Sequence, residues 1–342
     1  KILRTKVSRE RYSIEFGKIL KGHYVSVALD AIVELGLADI LFELPNQCIS
    51  FFFFKKKKKK KNYTFSSIPT NSLISYIFNT YLFFLIVPDG FHFASALMTG
   101  VKIASEMEKL IHEEYEKMAK ETHKKTEEKQ ENTNVPKLHL SSLKKIKHEL
   151  LFASFLYPFR DVKYTTAKNR TEEIVKYFCL ESISGLGKDL AKKVVDFHKT
   201  VELFLQSITC ENDNETKRFA GSPQQSQFVG SALRIAKDEW RYGVMLTKSV
   251  LRQQNANTRM LEELEEWTIT KSLLNECWKW KPLYNGNDVR QEFPVFENKQ
   301  NIKSLGIVLD ELVLWRLSDP TADKEKAKHF VAEWIKQNLG SK

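Results

Sequence analysis

The stretch Ala327-Lys328-His329-Phe330-Val331-Ala332-Glu333-Trp334-Ile335 decides the fold class of this chain. Its apolar residues recur at the spacing i, i+3, i+4, i+7 and i+8, which is one face of an α-helix. Thr321 is the expected N-cap, Asp323 and Glu325 fall in the first turn, and Gly340 follows the last turn. The C-terminal segment is therefore predicted to be an amphipathic helix.

The same helical spacing recurs upstream. Ser8 is positioned to cap the first helix, and Asp319-Pro320 interrupts the chain before the last one. Alternating apolar and polar residues, the pattern of strands, are scarce outside residues 48–88. The pattern therefore predicts an all-α protein. The inward-facing residues expected in three of its helices are Tyr12, Phe16, Ile19 and Leu20; Val229, Leu233, Ala236, Trp240 and Val244; and Ile302, Leu305, Leu309, Leu312 and Trp315.

The chain is basic, with a formal net charge of +11. Seven of these charges are the lysines at 55–61, within a stretch (48–88) that contains no Asp or Glu, so the remainder carries only +4. A positive excess fits an acidic partner such as RNA. The remaining excess is small enough to permit RNA binding without requiring it.

The four cysteines, Cys48, Cys179, Cys210 and Cys277, are widely spaced and form no C-x-x-C pair. This spacing argues against a zinc site and against a secreted disulfide scaffold, and it predicts free thiols in a reducing intracellular compartment. No H-E-x-x-H or Gly-x-Ser-x-Gly motif occurs. The polar residues Glu211-Asn212-Asp213 are interpreted as a solvated loop, so no metal site is predicted.

Residues 48–90 form a low-complexity insertion. Four phenylalanines at 51–54 run directly into the seven lysines, followed by a stretch rich in Ser, Ile, Asn, Tyr and Phe. AT-rich non-coding DNA encodes such runs when it is translated, so we interpret the insertion as a retained intron whose removal would join Pro45 to a helix near Phe91. The alternative is a membrane span at 72–87. That run has about sixteen residues where roughly twenty are needed, so no membrane partner is expected.

Five motifs follow one another in a characteristic order. They are Lys6-Val7-Ser8-Arg9-Glu10-Arg11, the segment from Leu35-Gly36-Leu37 to Phe42-Glu43-Leu44-Pro45, Ala153-Ser154-Phe155-Leu156-Tyr157-Pro158-Phe159-Arg160, the segment from Leu233-Arg234-Ile235 to Asp238-Glu239-Trp240-Arg241, and Lys281-Pro282-Leu283-Tyr284-Asn285-Gly286-Asn287-Asp288-Val289-Arg290 followed by residues 309–317 and Asp319-Pro320. Together they resemble the C-terminal region of eukaryotic, plant- or fungal-like CCA-adding enzymes, the tRNA nucleotidyltransferases. The resemblance covers residues 1–47 and 92–342.

The resemblance implies the multi-helix neck, body and tail of a class II tRNA nucleotidyltransferase. Residues 1–47 would be a neck remnant, 91–227 the body, and 228–342 the body and tail that bind tRNA. The signatures of the family's catalytic head, including its Asp-x-Asp pair, do not occur in the chain. We therefore expect no catalytic residue here. Mg²⁺, ATP and CTP are implied only for a complete enzyme, of which a chain that starts at Lys1 is expected to be a fragment.

The resemblance also implies roles for individual residues. Contacts to tRNA phosphates are expected from the tail residues Lys281, Asn285, Arg290 and Lys303, and from a basic loop that contains Lys168 and Arg170. In the neck, Arg9, Glu10, Arg11 and Glu15 are expected to form buried Glu–Arg pairs that support a nucleotide pocket.

A glycine turn offers a second class of function. Gly185-Leu186-Gly187-Lys188 is similar to a helix-hairpin-helix turn, in which backbone amides at a helix N-terminus hold a nucleic-acid phosphate. An ordinary turn between two helices explains the same residues. Besides the tRNA-binding part of a CCA-adding enzyme, the open alternatives are a non-catalytic helix-hairpin-helix module, a helical interaction scaffold, and a mispredicted gene product. The sequence does not separate cytoplasm, nucleus and mitochondrion.

Overall fold

The computed structural model describes residues 7–45, 85–86, 91–124, 140–166, 170–183, 186–210, 218–274, 276–298 and 300–339. Over these ranges the chain is mainly helical, with one small antiparallel sheet, which confirms the predicted all-α class. The lysines at 55–61 lie outside the described residues. The chain divides between His198 and Lys199 into two compact units. The predicted boundary between residues 227 and 228 stays a prediction.

The first unit contains six helices and three short strands among its described residues. They are α1 (Arg9–Leu20), α2 (Val25–Glu34), α3 (Ala38–Leu41), β1 (Leu85–Ile86), α4 (Phe93–Lys124), α5 (Leu140–Leu156), β2 (Lys163–Thr165), β3 (Thr171–Glu173) and α6 (Ile174–Tyr177). A 3-10 turn (Tyr157–Phe159) follows α5 and a π turn (Phe178–Ser182) follows α6. The next helix, α7 (Lys188–Thr209), spans the boundary between the units.

Helix α1 starts as predicted. The Ser8 hydroxyl accepts a hydrogen bond from the Arg11 N–H at 3.3 Å, which satisfies one of the donors left free at a helix N-terminus. Phe16 and Leu20, one turn apart, are buried on its inner face. The local sequence is therefore sufficient to place this helix and to orient it.

Five buried rings, Phe16, Phe42, Phe152, Phe155 and Phe178, form what we term the phenylalanine cluster. Phe16 of α1 lies 5.8 Å from Phe42 and 5.6 Å from Phe152, measured between ring centroids. Phe42 in turn lies 5.1 Å from Phe155 and 5.5 Å from Phe178. Burying each such side chain stabilises the fold by about 1.5–3 kcal/mol. The cluster therefore ties residues 7–45 to residues 140–182.

The small sheet was not predicted. Its strand order is β1-β2-β3 with antiparallel pairing, and Tyr164 faces Leu85 on one side and Glu172 on the other. The Thr166 N–H closes the β2–β3 hairpin by donating to the Arg170 carbonyl at 2.8 Å. Strands of two or three residues are too short to show the alternation by which strands are identified in a sequence.

The described part of the second unit continues with six further helices. They are α8 (Pro223–Ala236), α9 (Trp240–Gln253), α10 (Arg259–Thr270), α11 (Gly286–Glu292), α12 (Ile302–Ser318) and α13 (Lys324–Asn338). One apolar cluster contains Phe204, Leu233 and Trp240, and another contains Phe296 and Trp334.

Two helix boundaries differ from the prediction. The last helix is capped by Asp323, whose carboxylate accepts from the Lys326 N–H at 2.9 Å, while Thr321 donates to Asp319 instead. The segment from Val229 to Val244 is two helices, because the chain turns at Lys237. Gly340, the predicted stop of the last helix, lies outside the described residues.

Two further predictions concern a membrane span and the cysteines. None of the described helices is long and apolar enough to cross a membrane. The apolar run at 72–87 lies outside the described residues except for Leu85–Ile86 of β1. Cys179, Cys210 and Cys277 form no disulfide within the described residues, in agreement with the prediction, whereas Cys48 lies outside them.

Candidate nucleic-acid interface

Asn285, one of the predicted tail contacts, is the N-cap of α11. Its side-chain oxygen accepts from the N–H groups of Asn287 at 2.8 Å and Asp288 at 3.1 Å. The Asp288 carboxylate accepts from the Asn285 N–H at 3.0 Å, which completes a capping box. The sequence Asn285-Gly286-Asn287-Asp288 thus starts a helix, and the acceptor oxygen of Asn285 is already engaged.

The other three predicted tail contacts are exposed. Lys281 lies just after the 3-10 turn Cys277–Lys279, Arg290 lies in the last turn of α11, and Lys303 lies in the first turn of α12. The first residue of α11 packs against α12, because a Cβ added at Gly286 would lie 3.7 Å from the Leu305 side chain. The predicted residues therefore lie on connected elements of the second unit.

Two arginines that were not predicted as RNA contacts donate hydrogen bonds to main-chain carbonyls at or near Lys281. Arg316 of α12 donates from Nη1 to the Lys281 carbonyl at 2.6 Å, and its guanidinium carbon lies 4.7 Å from the centroid of the Trp280 ring. Arg234 of α8 donates from Nη1 to the Cys277 carbonyl at 3.2 Å. Both arginines belong to sequence motifs described above, but only tertiary packing brings them to the same segment of main chain.

The glycine turn is only partly described, because Gly185 lies outside the described residues. Gly187 has φ +90°, a conformation that glycine adopts without strain, and its carbonyl accepts from the Ala191 N–H at 3.2 Å at the start of α7. Lys188 is exposed at the first helical position. Lys193, in contrast, is paired with Glu149 at 2.6 Å. The described part is a helix that begins directly after a glycine, with Lys188 and Lys192 exposed in its first turns.

The basic loop of the first unit lies at the tip of the β2–β3 hairpin. Arg170 is exposed, and its N–H donates to the Thr166 hydroxyl at 3.2 Å. Lys168 lies outside the described residues. The hairpin therefore explains why Arg170 is held at the surface.

The four residues predicted for the neck are exposed, so the expectation of buried Glu–Arg pairs is wrong. Arg9 pairs with Glu43 at 3.1 Å, and Glu15 pairs with Lys18 at 2.9 Å along the surface of α1. Glu10 and Arg11 lie in the first turn of the same helix. Exposed pairs of this kind contribute about 0–1 kcal/mol. The Arg9–Glu43 pair does join the first two motifs of the sequence.

The described residues do not fit a catalytic metal site. No group of three or more His, Cys, Asp or Glu side chains in the described ranges could hold a metal ion. The polar segment 211–213 lies outside these ranges. No catalytic step is therefore assigned to the described residues.

Comparison with known proteins relates the N-terminal helices to an RNA-binding family region. Residues 4–48 match the model of a family described as "Probable RNA and SrmB- binding site of polymerase A". The match contains α1, α2 and α3, and with them Phe16 and Phe42 of the phenylalanine cluster. No curated protein and no solved structure matches the chain. Residues 4–48 are thus similar to an RNA-binding region of a polymerase family.

Proposed function

We propose that this chain is the tRNA-holding neck, body and tail of a nucleotidyltransferase that adds CCA to the tRNA 3′ end. The observation that carries the proposal is the match of residues 4–48 to an RNA-binding region of polymerase A. That match supports RNA as the partner. The order of the five sequence motifs narrows the proposal to tRNA and to CCA addition.

The packing of the motifs supports the proposal. In the first unit, Arg9 of the first motif pairs with Glu43 of the second, and Phe42 of the second contacts Phe155 of the third. In the second unit, Arg234 of the fourth motif donates to Cys277, four residues before the fifth motif begins. Motifs far apart in the sequence therefore pack against each other within each unit, as expected if they belong to one ancestral protein.

In this proposal the chain binds and orients RNA. Exposed Lys281, Arg290 and Lys303 are available for phosphate contacts, which position RNA without reading its sequence. Mg²⁺, ATP and CTP would be bound by the complete enzyme, in which the catalytic head supplies the carboxylates.

The test compares ligands on the complete chain. Affinity is measured for a tRNA that lacks CCA, for the same tRNA with CCA, and for duplex DNA, each at several salt concentrations. We expect both tRNAs to bind more tightly than DNA, with an affinity that falls as salt rises. Equal affinity for all three polyanions would overturn tRNA as the partner. With labelled ATP and CTP and Mg²⁺ we expect no incorporation, and any incorporation would contradict a non-catalytic chain.

The second candidate is a helix-hairpin-helix module. It is favoured by the positive φ of Gly187 at the start of α7, beside exposed Lys188. This function requires duplex DNA to bind best and G185A and G187A to weaken that binding at low salt. Unchanged affinity in folded variants would exclude the helix-hairpin-helix function. If the chain binds no nucleic acid at all, the helical interaction scaffold is the alternative that remains.

A further inference from the structure

Helices α8 and α12 cross closely at Gly230. A Cβ added at Gly230 would lie 2.6 Å from the Leu317 side chain, so a larger residue does not fit without movement. Arg234 lies one helical turn after Gly230, on the same face of α8, and Arg316 immediately precedes Leu317. The crossing therefore brings two arginines, distant in the sequence, to the same part of the second unit.

Both guanidinium groups are held by one short segment of main chain. Arg234 donates to the carbonyl of Cys277 at 3.2 Å, and Arg316 donates to the carbonyl of Lys281 at 2.6 Å. Arg316 also lies over the Trp280 ring. Carbonyls and an aromatic face orient a guanidinium, but they carry no full negative charge to balance it.

Neither arginine has a carboxylate partner among the described residues. Other arginines of the same unit do: Arg241 pairs with Glu265 at 2.9 Å, and Arg259 pairs with Glu263 at 3.0 Å. The buried Nε of Arg316 has no hydrogen-bond acceptor in this part of the structure. Burial lowers the pKa of Arg316, and the positive charge of Arg234 lowers it further. An anion beside the two guanidinium groups would offset the repulsion between them.

We propose that Arg234 and Arg316 form a binding site for a phosphodiester of the RNA backbone. A phosphate supplies the missing negative charge and several acceptor oxygens, and arginine binds it through paired donors in a planar fork. Exposed Lys281 lies at the edge of the site, where it would contact the same or the next phosphate. The RNA ligand rests on the proposed function, whereas the phosphate site itself does not.

The test uses R234Q and R316Q in the complete chain, with R259Q as the matched control because Arg259 already has a carboxylate partner. We expect each of the first two to weaken tRNA binding about tenfold, as the loss of a charge-assisted hydrogen bond does. Each should also reduce the slope of log affinity against log salt by roughly 0.7–0.9. R259Q should change neither quantity. Where R316Q fails to fold, R316K replaces it and should still bind more weakly, because lysine keeps the charge but lacks the fork.

Inorganic phosphate separates the site from the proposed function. It should raise the melting temperature of the wild type and of R259Q above that in sodium chloride of equal ionic strength, and it should not do so for R234Q or R316Q. If the wild type binds tRNA but the two variants match R259Q in affinity and salt slope, the site is overturned and the function stands. If the wild type does not bind tRNA, the proposed function fails, and the phosphate titration alone decides the site.

Discussion

At the scale of single residues, Lys237 stands out in the described backbone. It has φ 53° and ψ −129° at the end of α8, a conformation that favours glycine. Its N–H donates to the Leu233 carbonyl, and the next helix starts three residues later at Trp240, which is only 1% exposed. The strained turn thus separates two helices that the apolar spacing predicts as one.

Replacing Lys237 by glycine is expected to raise the free energy of unfolding by about 1 kcal/mol, since an unfavourable φ costs of order 1–3 kcal/mol and glycine loses part of that gain to chain entropy. Urea denaturation measures the change. K237A is the control, because alanine also removes the charge but keeps the strain. An equal gain in K237A would show that the lysine side chain is responsible.

Single residues were predictable where the signal is local. The Ser8 cap and the burial of Phe16 and Leu20 follow from neighbours in the sequence, and the structure confirms them, whereas Tyr12 and Ile19 are only half-buried. Asp323 was missed as a cap because Thr321, two residues earlier, can form the same hydrogen bond. Arg234 and Arg316 could not have been paired, since only the crossing of α8 and α12 brings them to one segment.

At the scale of elements, α2 is capped by a different helix. Tyr24, at its N-cap position, makes no side-chain cap. Instead, Glu108 of α4 accepts from the N–H groups of Val25 and Ser26, both at 3.2 Å, and from the Ser26 hydroxyl. A negative charge at this end also interacts favourably with the helix dipole. The cap therefore fixes α2 against α4.

Substituting Glu108 by alanine is expected to lower the free energy of unfolding by about 1–2 kcal/mol, the usual cost of a lost N-cap. E108Q should lose less, because the amide oxygen still accepts hydrogen bonds. The control is E106A, because the Glu106 carboxylate pairs with Lys109 one turn along the helix surface. Thermal or urea unfolding measures all three, and an equal loss in E106A would contradict the capping role.

The elements were predictable as helices but not in their contacts. Apolar residues that repeat every 3.6 positions identify a helix and its buried face. The cap of α2, in contrast, joins residues that lie 82–83 positions apart, so no local pattern predicts it. The split between α8 and α9 was missed for a related reason. The apolar spacing continues across Lys237, although the backbone changes direction there.

At the scale of the whole molecule, each compact unit contains a buried thiol. Cys179 lies in the first unit and Cys277 in the second, and burial raises the pKa of each thiol to about 12. The thiolate is the reactive form, so both should resist alkylation at neutral pH. Half-buried Cys210 should react first among these three. The sequence predicted that the thiols are free but could not rank their exposure.

Alkylation followed by mass spectrometry tests this ranking. As denaturant is added, modification of Cys179 should report the unfolding of the first unit and that of Cys277 the unfolding of the second. The fully denatured chain serves as the control, in which the rates should become similar. Rapid modification of Cys179 or Cys277 in the native protein would contradict the burial of that thiol.

The phenylalanine cluster has a practical consequence for anyone truncating this polypeptide. A peptide ending at residue 48 would leave Phe16 and Phe42 facing water and would lose the Ser182 hydroxyl that donates to the carbonyls of Leu41 at 2.7 Å and Glu43 at 3.3 Å. The stretch recognised by homology is therefore not an autonomous module. Fragments intended for RNA experiments need to extend at least through Ser182 if they are to stay folded.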